Sequence, residues 1–163
     1  MAEASGNKIR LIVVTPYKTF YDGMVSIITI PSTDGEIGIM SGHDPLVVAL
    51  KPGICRINID GEIKRFTSSE GYAEIGRHQA LIVCNSAEWP EEISVARILK
   101  SYKDASGRME DEKRQNKEDG VQITSDATNM LDRAKARIHL IELEGSEAQK
   151  SRLESHANEL TGD

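Results

Sequence analysis

The side chains of this chain that could do chemistry are four histidines, two cysteines and a dense set of carboxylates, and their spacing decides against most of it. His43, His78, His139 and His156 stand far apart, with none of the short separations that let imidazoles share a metal ion. Cys55 and Cys84 sit singly inside apolar runs without a CxxC pair, so buried free thiols are expected ahead of a disulfide or a metal site. The carboxylates crowd into Glu110–Asp119, a run without an apolar residue, which reads as a solvated face rather than an acid–base pair. No GxxxxGK[ST] loop, GxGxxG turn, GxSxG elbow or HExxH pair is present. The expectation is a chain that is no enzyme, with neither a resident cofactor nor a metal.

Charge and hydropathy narrow the partners. A net charge of −6 leaves no general basic surface for nucleic acid. No apolar run, Leu11–Val14, Leu46–Leu50 and Ala80–Cys84 included, approaches the ~20 residues that span a bilayer, and Met1–Lys8 carries no apolar signal core. Direct membrane insertion is therefore not expected, and unpaired thiols favour a reducing, cytoplasm-facing location. With aromatics at only 4%, the core must come from Ile, Val, Leu and Ala.

Two stretches of different period must carry whatever function remains. Residues 8–85 read as strands. Ile9–Val13 ends at Thr15-Pro16, Val25–Pro31 ends at the turn Ser32-Thr33-Asp34-Gly35, and Ile54–Ile59 alternates apolar with polar. Asp60-Gly61 joins that strand to Glu62–Thr67 as a hairpin, and Gly71–Ile75 and Gln79–Cys84 follow around Gly76-Arg77-His78. After Pro90 the apolar positions Val95, Ile98, Leu99, Tyr102, Ala105 and Met109 recur at helical spacing. Pro90, Glu91 and Glu92 suit a helix start, and Asp119-Gly120 reads as a turn. A second helix is expected from an N-cap at Ser125 through Met130, Leu131, Ala134, Ile138 and Ile141, and beyond Gly145 the pattern decays into a frayed or disordered tail. The fold expected is α+β: an antiparallel β-sandwich over residues 1–88, then a two-helix antiparallel hairpin over residues 89–163. Neither helix has the bulk for its own core, so the hairpin must pack on itself, on the sandwich or on a partner.

One block is more specific than its composition. Gly35-Glu36-Ile37-Gly38-Ile39-Met40-Ser41-Gly42-His43-Asp44-Pro45-Leu46-Val47-Val48-Ala49-Leu50-Lys51-Pro52-Gly53 breaks strand-like pairs with Gly38, Gly42, Pro45 and Pro52. By composition this is either a corner between sheets or a shaped binding loop. Its residue order closely resembles the pattern GE-[LI]-G-[IL]-x-x-GH-x-PL-[LV]-x-x-LKPG of the bacterial F-type ATP synthase epsilon subunits. Val13–Pro16 with Tyr21-Asp22-Gly23, Glu70–Ile75, Ala87–Ile93 and Leu131–Ile138 resemble further family segments in the same order. Glu70 stands where the family usually has glycine.

The resemblance implies a sandwich of about ten strands that fastens to the gamma subunit and the c-ring, at the cytoplasmic face of the cell membrane. It implies a hairpin that meets the beta subunit of the catalytic head and inhibits ATP hydrolysis, through basic residues such as Lys100, Lys103, Arg108, Lys113, Arg114 and Lys117. An ordinary solvated face, paired with Asp104, Glu110 and Glu112, is the equal alternative. By family position Glu36, Gly38, Gly42, His43 and Pro45 would contact gamma and the ring. Some members bind ATP through [IL]-D-x-x-R-A at the start of the first helix. Here Ile93 and Arg97 match, Ser94 replaces the acid and Ile98 the alanine, while Arg133 and Arg137 could still face phosphates. ATP as a regulatory ligand is expected to bind weakly or not at all. The competing reading is a free-standing β-sandwich that binds a small ligand and carries a helical oligomerisation arm.

Overall fold

The computed structural model describes residues 7–119 and 125–156, excepting the side chains of residues 116–119 and 125. The chain divides between Glu88 and Trp89 into two compact units.

The first unit is built from ten strands. These are β1 (Ile9–Val14), β2 (Thr19–Val25), β3 (Ile27–Ser32), β4 (Gly35–Ile39), β5 (Leu46–Leu50), β6 (Gly53–Ile59), β7 (Glu62–Ser68), β8 (Gly71–Ile75), β9 (Gln79–Cys84) and β10 (Ala87–Glu88). They join edge to edge in the order β10-β7-β6-β3-β5-β8-β9-β1-β2, with β4 attached to β3. Alternation decides which face turns inward: Ile9, Leu11 and Val13 of β1, Ile28 and Ile30 of β3, and Ala80, Ile82 and Cys84 of β9 are all buried. Each fully buried branched side chain contributes on the order of 1.5–3 kcal/mol. The row of strands curls back on itself, bringing Phe20 of β2 against Phe66 of β7 with ring centroids 5.2 Å apart. These strands lie near opposite ends of the strand order, so the aromatic contact ties one layer of the sandwich to the other.

Four details correct the sequence reading. First, β1 pairs in parallel with β9, from Arg10 opposite Gln79 to Val14 opposite Val83, whereas every other pair is antiparallel as expected. β1 is inserted between its hairpin partner β2 and β9, and it enters from the same end as β9. Second, β2 is a full strand that the residue pattern does not announce, because Asp22 and Gly23 in its middle are poor strand formers. Asp22 is tolerated there because Arg10 of β1 grips it through Nε at 2.9 Å and Nη2 at 2.8 Å.

Third, the helical unit starts later than Pro90. Pro90–Glu92 make only a 3-10 turn, whose start is closed by Trp89 N–H donating to Glu92 Oε2 at 2.9 Å. α1 runs from Val95 to Asp119 and α2 from Ser125 to Glu144. The expected turn at Asp119-Gly120, the Ser125 cap and the Lys117 side chain lie outside the described residues. Ile98 and Ala105 on α1, and Ala127, Ala134 and Ile141 on α2, are buried at seven-residue intervals. Arg108 Nη1 lies 3.6 Å from Met130 Sδ, on the neighbouring helix. Met130, Leu131 and Ile138, expected on the inner face, are only half-buried, and Leu140 is buried instead.

Fourth, residues 146–156 are not part of a frayed tail, and residues 157–163 lie outside the described residues. Glu147–Ser155 form α3, opened by Ser146, whose hydroxyl accepts from Gln149 N–H at 3.3 Å. Its hydrophobic content is too sparse for periodicity to reveal, since Leu153 is its one buried residue.

Candidate functional site

The block that carries the resemblance folds as β4, the loop Met40–Pro45, and β5. The loop has a defined shape. Gly42 takes φ +85°, a backbone region open to glycine and costly for side chains with a Cβ. Its N–H donates to the Arg77 carbonyl at 2.7 Å, which fastens the loop to the turn between β8 and β9. His43 N–H donates to Met40 O at 3.2 Å. The His43 ring places Nδ1 2.7 Å from the Asp44 carbonyl; a carbonyl only accepts, so Nδ1 carries a proton. Asp44 and Arg77 form a long, exposed ion pair at 3.6 Å. Beside them lies a shallow, open depression of about 370 Å³, lined by Glu74, Arg77, His78 and Gln79 among others. Its openness suits a macromolecular surface better than an enclosed small-molecule site.

The structure therefore groups Gly42, His43 and Pro45 at one end of the sandwich. Glu36 belongs to the other end of β4, next to the Thr33-Asp34 turn, and Gly38 lies between them along the strand. Glu36 Oε2 accepts from Arg56 Nη2 at 2.7 Å, across β3. Sequence reasoning missed Arg77 at the loop end and Arg56 beside Glu36, because their roles depend on pairings that span 20 to 35 residues. The Gly76-Arg77-His78 turn was the available signal. Exposed Met40, Leu46 and Val47 give the loop end an apolar component that a partner could cover.

The segment that resembles a degenerate nucleotide motif is closed in part by burial. Ile93 and Ile98 are buried, at 4% and 1% exposure, while Ser94 and Arg97 face solvent. Ser94 directly precedes α1, its backbone carbonyl accepting from Ile98 N–H at 3.1 Å, a position that both serine and an acid suit. Arg133 and Arg137 are one turn apart on α2, share a face and already have interactions of their own. Gln149 of α3 donates to the carbonyls of Pro90 and Ile93, so this segment is occupied from within the chain. Among the described residues no group of His, Cys, Asp and Glu could hold a metal ion, and no helix is long and apolar enough to cross a membrane.

Residues 8–90 match the family model of the beta-sandwich domain of the ATP synthase Delta/Epsilon chain. The chain is 41% identical over 100 residues to an ATP synthase epsilon chain of Alkaliphilus oremlandii, covering 61% of this chain and 75% of that one. It is 35% identical over 133 residues to that of Clostridium novyi, covering 81% of this chain and 96% of the relative. The chain belongs to the ATP synthase epsilon-chain family. Membership makes it a non-catalytic accessory chain rather than an enzyme. A chain of the Euglena gracilis mitochondrial ATP synthase (OSCP/F1/c-ring) shares the fold of this epsilon-family chain. It superposes with a TM-score of 0.64 at 23% identity, covering 84% of this chain and 82% of that one.

Proposed function

We propose that this epsilon-family chain is a central-stalk rotor component of a proton-translocating F-type ATP synthase, coupling c-ring rotation to the catalytic head. Its sandwich fastens to the gamma subunit and the c-ring, and its helices meet the beta subunit and restrain ATP hydrolysis. The chain works peripherally, at the cytoplasmic face of the cell membrane. The carrying observation is the Met40–Pro45 loop: it is pinned through Gly42 to Arg77, yet presents Met40, Pro45, Leu46 and Val47 to solvent. A preshaped apolar loop with a polar rim loses little conformational entropy on docking. The His43 ring and the Asp44–Arg77 pair supply that rim.

The test is co-purification with gamma. Reversing the rim with Asp44→Arg and truncating His43→Ala should weaken retention of gamma while leaving the circular dichroism spectrum unchanged. Full retention by both would refute the assignment of this loop. Deleting residues 91–163 tests the helical role separately: assembly should persist and hydrolysis by the isolated head should rise.

A further inference from the structure

The side-chain amide of Gln149 is used to its full hydrogen-bonding capacity. Its Nε2 donates to the carbonyls of Pro90 and Ile93, both at 2.9 Å. Its Oε1 accepts from Ser146 N–H at 2.8 Å and from the Ser146 hydroxyl at 3.1 Å. A primary amide has two N–H donors and two acceptor lone pairs, and all four are spent here. The orientation of the amide is fixed by its partners, because a backbone carbonyl can only accept and a backbone N–H can only donate.

The two carbonyls belong to the first residues after the division between the units, the 3-10 turn and the residue that follows it. They lie 59 and 56 residues from Gln149 in sequence. The α1 ladder takes up the next carbonyl, that of Ser94. One turn beyond Gln149, Leu153 buries its side chain to 7% exposure and seats the helix. Gln149 thus joins three pieces of backbone: the start of α3, the 3-10 turn and the approach to α1.

We infer that α3 is a clasp with Gln149 as its catch. While it is seated, Pro90–Ile93 keeps a fixed path into α1. Any rearrangement of that segment relative to the helices requires α3 to lift first. The clasp acts through this chain's own residues, independently of the partner assignment above.

Gln149→Glu separates the catch from the cap. A carboxylate still accepts from Ser146 N–H, as in an S-x-x-E capping box, but has no N–H to give the two carbonyls. Amide hydrogen exchange on the full chain reads the outcome. The Glu92, Ile93 and Ile98 amides, each bonded at this junction, should exchange about ten- to thirtyfold faster, the loss of two ordinary hydrogen bonds. Amides of the sandwich and of the α1–α2 seam should keep their rates. Removing residues 146–163 should reproduce the same local increase. Unchanged exchange at these three amides in either variant overturns the clasp. So does an equal increase throughout α1 and α2, which would mean general loosening of the helical unit.

Discussion

Glu36 and Arg56 are joined carboxylate to guanidinium at 2.7 Å, two strands apart across β3, with both side chains substantially exposed. Exposed pairs of this kind contribute about 0–1 kcal/mol. Glu36→Gln should therefore shift the thermal midpoint of the sandwich by no more than a few degrees. Any loss of gamma or c-ring association in that variant then reports a lost contact rather than a damaged fold. A large drop in the midpoint by calorimetry would show that the pair is structural.

Phe66 is the largest fully buried side chain among the described residues, and it stacks obliquely on Phe20 at 49° between ring planes. Phe66→Ala should cost about 3–5 kcal/mol, through lost burial and a residual cavity. Urea unfolding followed by strand-region circular dichroism should show the loss. A change below about 1 kcal/mol would mean that the two layers are not tied together here.

Burial pushes the Cys55 thiol up to about 12 and the Cys84 thiol up to about 11. Both lie above the ordinary thiol value of 9.0, so the folded chain keeps protons that the unfolded chain releases. The stability associated with the protonated thiols is complete below pH 9 and is lost as the pH climbs towards 11 and 12. The denaturation midpoint should fall with rising pH across that window, and less so in a Cys55→Ala variant. Ellman's reagent at pH 8 should label neither thiol until denaturant is added, and rapid labelling of the native chain would contradict their burial.

ATP titrated at physiological salt should give no adenine-selective, micromolar binding. Ser94 lacks the acceptor strength of a carboxylate, and Ile98 fills the core of the helical unit at 1% exposure. Ile98→Ala should cost about 2–5 kcal/mol, so it loosens the helices instead of opening a site. Ser94→Asp, which suits the same position ahead of α1, is the cleaner gain-of-binding variant, and calorimetry is the readout. Tight binding by the unmodified chain would overturn this view.

How far the sequence disclosed all this can be traced residue by residue. Alternation placed Ile9, Leu11 and Ile57 in the core, and the helical spacing of apolar positions placed Ile98 and Ala105 on the inner face of α1. Asp60 at φ 53° followed by Gly61 gave the β6–β7 hairpin its signature. β2 was hidden because the cost of Asp22 in a strand is offset by Arg10, 12 residues away. α3 was hidden because its hold on the fold is one polar side chain and one leucine, neither of which makes a periodic pattern. Glu70 departs from the family glycine at little cost, since its carboxylate reaches out to Asn85 Nδ2 at 3.3 Å. Gly71 beside it could not change in the same way: a Cβ there would sit 2.0 Å from the Val83 carbonyl oxygen.

The parallel seam between β1 and β9 bears on how the molecule is made. A ribosome releases β1 first, and β1 can zip against β2 within a few residues, but its other edge must wait for Gln79–Cys84. Until then the nascent chain carries an open, aliphatic strand edge, the kind that captures strands from neighbouring chains. Closing a loop of roughly 70 residues also makes this pairing the slow entropic step of the sandwich.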